Sequence, residues 1–420
     1  MSPEPGGPEH VVQSVPSRRP RRRGTPGRGV ASRPRSTPSA PGGPMTTSEP
    51  SGTAPSRVDG PVMVQTVTGP VRADELGVTL THEHLFGDLS DAFHLPSDPH
   101  LLELVDVPVT PRIAAALRED PYGNRDNVRI DAEMIAEVAE EVAAFRAVGG
   151  RTVVDSSTGP ERHPTALREL ARRTGLQVVM AGGWCLSHGD ERQFTDDDVA
   201  AMTSELVGEI REGVLLRDGT RVGVGSIGEI GVGLDFTPAE RATLVAACLA
   251  QVRTGLPLFV HLPGWQRRGH EVLDVVAEHG VDPRAVVLCH MDPSGRDTGY
   301  QREIADRGVW LGFDMIAMAL NYPGEGESPS VADTTAAVAG LVEDGYAGQL
   351  LLSHDVGLKV QWARNGGTGL TYVPTAFVAR LVAAGVDEQL ARGLLTENPA
   401  ALFTAAWTGT PQARLEGPPG

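Results

Sequence analysis

Six side chains in this sequence are of the types that hold cations and activate water. His82 and His84 stand two apart in Thr81-His82-Glu83-His84, and Glu229 follows 145 residues after His84. His261, His290 and Asp355 come at further intervals of 32, 29 and 65 residues. Imidazole and carboxylate ligands suit borderline divalent ions such as Zn²⁺, Mn²⁺ or Co²⁺. Four imidazoles and two carboxylates are donors enough for two such ions with a carboxylate between them. That arrangement lowers the pKa of bound water towards ~7 and polarises a scissile carbonyl or phosphoryl oxygen. It is not the helical His-Glu-x-x-His zinc motif, because position 86 is Phe.

The six act together only if the fold brings them to one place. From residue 61 onward, short β-branched runs alternate with stretches of helical apolar spacing, the pattern of repeated βα units. After a hairpin at Val62–Val67 with its return near Val71, eight strand signals follow. They are Val78–Leu80, Thr152–Asp155, Gln177–Met180, Val222–Ile227, Leu258–His261, Val286–His290, Val309–Phe313 and Leu350–Ser353. Helices are expected at Asp131–Val148, Pro164–Arg173, Asp197–Glu212, Pro238–Arg253, Glu271–His279, Tyr300–Asp306, Val331–Glu343 and Pro374–Ala384. Asn398-Pro399 opens a closing helix. Eight such units predict an α/β fold, the (β/α)₈ TIM barrel, enlarged by an insertion around residues 88–130. A doubly wound open sheet is the alternative, but no Gly-rich phosphate fingerprint supports it.

In this barrel the active site lies at the C-terminal ends of the strands. Strand 1 runs into His82 and His84, whose side chains share one face while Glu83 points away. Strand 4 ends at Glu229, strand 5 at His261, strand 6 at His290 and strand 8 at His354-Asp355. One βα unit takes roughly 30–40 residues. The intervals therefore correspond to three units plus the insertion, one, one and two, and every ligand lands on the same rim. Buried imidazoles and carboxylates are costly unless paired or metal-bound, which favours a metal site over structural histidines. His94, His100, His163, His188, His270 and His279 fall in loops or helices and read as surface residues. His354 and Cys289 should point off the site.

The chain has 420 residues and a formal charge of −17, with Lys359 as its sole lysine. Residues 1–60 carry nine arginines against four acidic residues and hardly any large apolar side chain, so a disordered tail is expected there. Residues 61–408 are expected to form the barrel and 409–420 a flexible tail. Met45 is a candidate alternative start. The acidic body and few aromatics argue against nucleic acid as a partner. No 18-residue apolar window predicts a membrane span. Three scattered cysteines and the lack of an export signal favour the cytoplasm.

Val78-Thr-Leu-Thr-His-Glu-His-Leu85, preceded by Val67-Thr-Gly-Pro70, resembles the opening of the phosphotriesterase family within the amidohydrolase superfamily. Thr152–Thr158, Ile227–Gly231, Leu352–Asp355, Asn365-Gly-Gly367 and Glu397–Ala400 are similar to further segments of that family, so the likeness spans about 62–406. Its C-terminal stretch is most similar to the phosphotriesterase homology proteins, also called phosphotriesterase-related proteins. The resemblance implies that His82 and His84 hold the more buried ion and His261 and His290 the more exposed one. It implies that Asp355 binds the first ion, contacts a metal-bridging hydroxide and is the catalytic acid–base. Relatives that degrade organophosphates or lactones bridge their ions with a carboxylated lysine on strand 4; here that place is taken by Glu229. Strand 7 ends Phe313-Asp314-Met315 where acyl-homoserine lactonases are expected to carry arginine.

The expected activity is therefore hydrolysis of a small-molecule ester, lactone or amide by a binuclear centre, with phosphotriester turnover as a side reaction. Trp184 and Trp265 are candidate pocket walls, and Arg267 and Arg268 read as solvated surface. Barrels of this kind often form homodimers, though no segment here specifies one. Two rivals remain. Glu229–Asp235 also resembles the TatD metal-dependent deoxyribonucleases, against which the upstream hairpin, Asn365-Gly-Gly and the acidic body stand. The second is a non-catalytic small-molecule-binding barrel.

Overall fold

The computed structural model describes residues 61–186 and 192–407. The expected tails at 1–60 and 409–420, Met45 and His188 lie outside the described residues. Eight parallel strands pair in sequence order: β1 (Val78–Glu83), β2 (Gly150–Asp155), β3 (Gln177–Gly182), β4 (Ser226–Ile230), β5 (Leu258–Val260), β6 (Val286–Leu288), β7 (Trp310–Phe313) and β8 (Leu350–Leu352). Around them lie α1 (Ile135–Ala147), α2 (Pro164–Thr174), α3 (Asp196–Glu212), α4 (Pro238–Thr254), α5 (Gly269–Glu278), α6 (Thr298–Ala305), α7 (Val331–Glu343) and α8 (Val378–Ala383). This is the expected (β/α)₈ barrel.

The seam between β8 and β1 closes just beyond the strand ends. Asp355 N–H donates to the His82 carbonyl at 3.2 Å, and His84 N–H donates to the Val356 carbonyl at 2.9 Å. Glu83, fully buried, staples the same seam. Its carboxylate accepts from the Ser353 hydroxyl at 2.9 Å, from the His354 N–H and Nδ1 at 3.0 and 2.8 Å, and from the Val356 N–H at 2.8 Å. At the other end β1 leaves the seam, and Thr79 N–H bonds the Leu395 carbonyl at 2.8 Å.

Two apolar layers support the site. Val154, Val179, Phe259, Val287 and Leu351 project into the lumen, where Val64 and Leu76 from the N-terminal segment and Leu402 and Phe403 from the closing helix Glu397–Trp407 plug the bottom. The plugging hairpin, Met63–Thr66 against Gly69–Arg72, crosses β3 and bonds it through Val67 N–H to the Val178 carbonyl at 2.9 Å. A second, larger layer packs the helices on the outer faces of the strands.

Strand 4 departs from expectation. Arg221–Val222 pairs antiparallel with Val214–Leu215 instead of joining the barrel, and β4 begins only at Ser226. The reason is the Gly223-Val224-Gly225 link: a Cβ at Gly225 would lie 2.1 Å from the Gln65 carbonyl, so the chain turns against the hairpin there. The expected helix Pro374–Ala384 is likewise divided. Val373–Phe377 is a π-helical turn containing Pro374, which has no N–H to give, and α8 follows it. Elsewhere local signals held. Pro238 opens α4 behind a capping box in which Thr237 Oγ1 accepts from Glu240 N–H at 3.2 Å and Glu240 Oε2 accepts from Thr237 N–H at 2.7 Å.

The insertion leaves the barrel through an antiparallel neck, Gly87–Asp88 against Arg129–Ile130. Its Ala114, Leu117 and Val128 pack on Met315, Met318, Leu358 and Val360 from the loops after β7 and β8. It therefore roofs part of the barrel mouth.

Candidate metal centre

Backbone geometry aims each side chain at the mouth. The β4–β5 register slips between Ile227 and Ile230, a bulge that turns Glu229 inward. It requires Gly228, whose φ is +93° and whose Cβ would lie 2.1 Å from the Phe259 carbonyl. His290 and Asp355 are held at φ of +58° and +54°, a conformation that costs a side-chain-bearing residue free energy and recurs at functional sites.

All six predicted residues converge. Glu229 Oε2 lies 3.2 Å from His82 Nε2, 3.3 Å from His261 Nδ1 and 3.2 Å from His290 Nε2, while its Oε1 lies 3.8 Å from His84 Nε2. Asp355 Oδ1 stands 3.3 Å from His84 Nε2 and 3.7 Å from His82 Nε2. His261 Nδ1 and His290 Nε2 face one another at 2.9 Å. Burial alone would raise the Glu229 carboxyl, but the imidazoles of His82, His261 and His290 outweigh it and hold the group well below the usual range. Burial alone would also depress His82 and His290; Glu229 and Asp314 beside His82, and Asp314 and Glu229 beside His290, push both well above the ordinary value instead. The cluster thus draws positive charge into a buried place.

That charge fits a metal. Both His82 ring nitrogens are buried without a hydrogen bond of good geometry, although carboxylates stand near each. His82, Glu229 and His290 form one group whose ligand atoms lie within 4.8 Å of one another, and His82, His84 and Asp355 form another. Imidazoles and carboxylates so arranged are the donor set of borderline divalent cations.

The sequence reading missed the supports. Asp314, at the end of β7, sets its Oδ2 at 3.1 Å from His82 Nδ1 and its Oδ1 at 2.8 Å from His290 Nδ1. Burial would raise it, but His290 and His82 hold it below the usual carboxylate range. Asp292 steadies the turn by accepting from the Asp314 and Met315 N–H groups at 3.0 and 3.1 Å. Ser157 Oγ lies 3.1 Å from His84 Nδ1. An acidic residue closing an apolar strand in the register of the other strand ends was the available signal for Asp314. Cys289 is corrected: it does not point clear of the site, because its thiol shares a group within 4.8 Å with His82 and Asp314. Glu83 and His354 do point away, into the seam, where His354 Nε2 accepts from the Val373 N–H at 3.0 Å.

A cavity of 390 Å³ opens above the centre, lined by His84, Glu229, His261, His290 and Asp355 and walled by Trp184. Trp265 lies outside it, against Tyr322 at 5.7 Å between ring centroids. Arg267 and Arg268 pair with Asp297 and Glu271 at 3.3 and 2.8 Å. Lys359 is far from a bridging role: its Nζ bonds Asp126 Oδ1 at 2.6 Å. No helix among the described residues is long and apolar enough to cross a membrane.

Comparison with known proteins agrees with this geometry. An N-acetyltaurine hydrolase from Danio rerio is 33% identical over 344 residues, which cover 80% of this chain and 96% of that protein. A resiniferatoxin-binding protein from Rhodobacter sphaeroides superposes with a TM-score of 0.74 at 41% identity, covering 81% of this chain and 95% of the other. The phosphotriesterase homology protein from Escherichia coli, solved with phosphate in its active site, gives 0.62 at 26% identity over 78% and 99%. The family model for the phosphotriesterase family matches residues 62–403, and with these relatives it shows that the chain belongs to that family of metal-dependent hydrolases.

Proposed function

We propose that this chain hydrolyses a carboxylic amide or ester at a centre of two divalent ions, with an N-acyl amide as the leading substrate class. The observation that carries the reading is Glu229, an anion within 3.3 Å of three imidazoles at a position where no lysine is available. His82, His84 and Asp355 would hold one ion and His261 and His290 the other, with Glu229 shared. Zn²⁺ suits these donors, as do Mn²⁺ and Co²⁺. When bound, such a pair supplies a nucleophile from water at neutral pH and polarises the scissile oxygen.

The protein's own groups do the rest. Asp314 and Ser157 face the Nδ1 atoms of His82, His290 and His84 and so turn each Nε2 toward the centre. Asp355 borders the cavity, and although burial would raise its carboxyl, His84 and His82 hold it lowered, so it stands ready as an anion. It accepts a proton from the attacking water at a carboxylate oxygen and passes it toward the leaving group. Support for an amide comes from the relative named N-acetyltaurine hydrolase. A second reading, a small-molecule-binding barrel, is favoured by the relative named for resiniferatoxin binding and by the apolar Trp184, Leu89 and Val232 in the cavity wall.

One panel separates them. Metal-loaded protein is offered N-acyl amino acids, carboxylic esters, lactones and phosphotriesters, before and after chelation. Turnover of an amide or ester that chelation removes and Zn²⁺ or Mn²⁺ restores is expected. Equal turnover by metal-free protein rejects the reading, and binding without turnover favours the second.

A further inference from the structure

The insertion carries Tyr122 into the cavity that also exposes Glu229 and Asp355. Its ring packs, tilted by 49°, against that of Tyr322 at 5.6 Å between centroids, and the Tyr322 hydroxyl bonds Met318 Sδ at 3.1 Å. Tyr122 has no such outlet: its hydroxyl makes no hydrogen bond to any described residue. A phenolic donor that borders the cavity and is not engaged by the protein is available to an acceptor on a ligand. Burial, with the charges of Asp355, Glu325 and Glu229 nearby, pushes the phenol further up.

Its position is fixed by side-chain bonds to the backbone around it. Asn127 Nδ2 donates to the Pro121 carbonyl at 2.7 Å, directly before Tyr122, and Asn127 Oδ1 accepts from the Val360 N–H at 2.8 Å. Asn127 N–H bonds Asn124 Oδ1 at 2.8 Å, and Asn124 Nδ2 holds the Val107 carbonyl at 2.9 Å. Lys359 reaches back to Asp126 Oδ1, whose other oxygen accepts from the Val109 N–H at 2.8 Å. The same loop carries Asp355, whose carbonyl accepts from Gln361 Nε2 at 2.8 Å. The insertion is therefore tied to the segment that bears the acid–base candidate.

We propose that Tyr122 binds substrate directly, its hydroxyl donating to an acyl oxygen of the substrate as charge grows there, and that Lys359 is the positioning residue that keeps it in place. The inference rests on the hydrolytic reading above for its substrate class. A site built around such a donor discriminates strongly for substrates that present the matching acceptor.

The test uses inorganic phosphate, a tetrahedral oxyanion, titrated calorimetrically into zinc-loaded full-length protein. Tyr122→Phe is expected to bind phosphate about 10- to 100-fold more weakly than wild type at unchanged zinc content, and to lose a similar factor in kcat/KM on the best amide or ester. Lys359→Met should lose part of that affinity and raise hydrogen exchange at residues 121–128, while Lys359→Arg should restore both. Wild-type affinity in Tyr122→Phe, to within twofold, overturns the proposal, as does a wild type that binds no phosphate. Failure of the hydrolytic reading looks different: wild type would be inert toward the whole panel while the phosphate difference between the two proteins persisted.

Discussion

The two ends of the barrel are built on opposite principles. The bottom is closed mainly by apolar side chains, with Val64, Leu76, Leu402 and Phe403 meeting the lumen residues. The mouth concentrates what folding ordinarily avoids: four imidazoles around two carboxylates, a strand bulge, and His290 and Asp355 held at positive φ. The difference teaches where each function of the fold resides. The apolar layers, at the closed end and under the helices, support the unfavourable arrangement at the open one.

Substitutions at the two ends should therefore separate activity from stability. The largest effect is expected for Glu229→Ala, which removes the carboxylate proposed to be shared; bound metal should fall well below the wild-type content and kcat/KM by at least about 10³-fold. Metal analysis and kinetics on the same preparation check it. Asp355→Asn should lower kcat by about 10²–10⁴-fold while retaining much of the metal, since the amide keeps a donor oxygen but takes up no proton. At the other end, Leu402→Ala empties a fully buried position and should cost about 2–5 kcal/mol in denaturant unfolding with kcat unchanged. If kcat fell in step with stability there, the division between ends would be wrong. The smallest change is expected from Asp314→Asn, which leaves every candidate ligand in place but weakens metal affinity by about 10–100-fold, measurable by competition with a chelator.

The convergence of the candidate ligands was legible in the sequence for a physical reason. His82, His84, Glu229, His261, His290 and Asp355 each sit at or just beyond the end of a parallel strand, and intervals of whole βα units, with one insertion, carry such ends to one rim. The same logic was available for Asp314, but reading that position only as a missing arginine hid what a carboxylate there does for two imidazoles. Strand 4 was misplaced because Val222–Ile227 is an apolar run by composition, while Gly223 and Gly225 mark a close approach to the hairpin that only three dimensions reveal. Tyr122 was not singled out at all. The insertion has no apolar period, and its order comes from asparagine and aspartate side chains bonding backbone groups distant in sequence.

Glu83 carries one more implication, for the order in which the molecule becomes competent. Its carboxylate waits from the first strand for donors supplied by residues 353–356, and Asp355 is delivered by that same docking event. During synthesis, more than 350 of the 420 residues are made before those donors exist. A chain that still lacks residues 353–356 is without the clasp and Asp355 together, so the candidate site is completed only as the barrel closes.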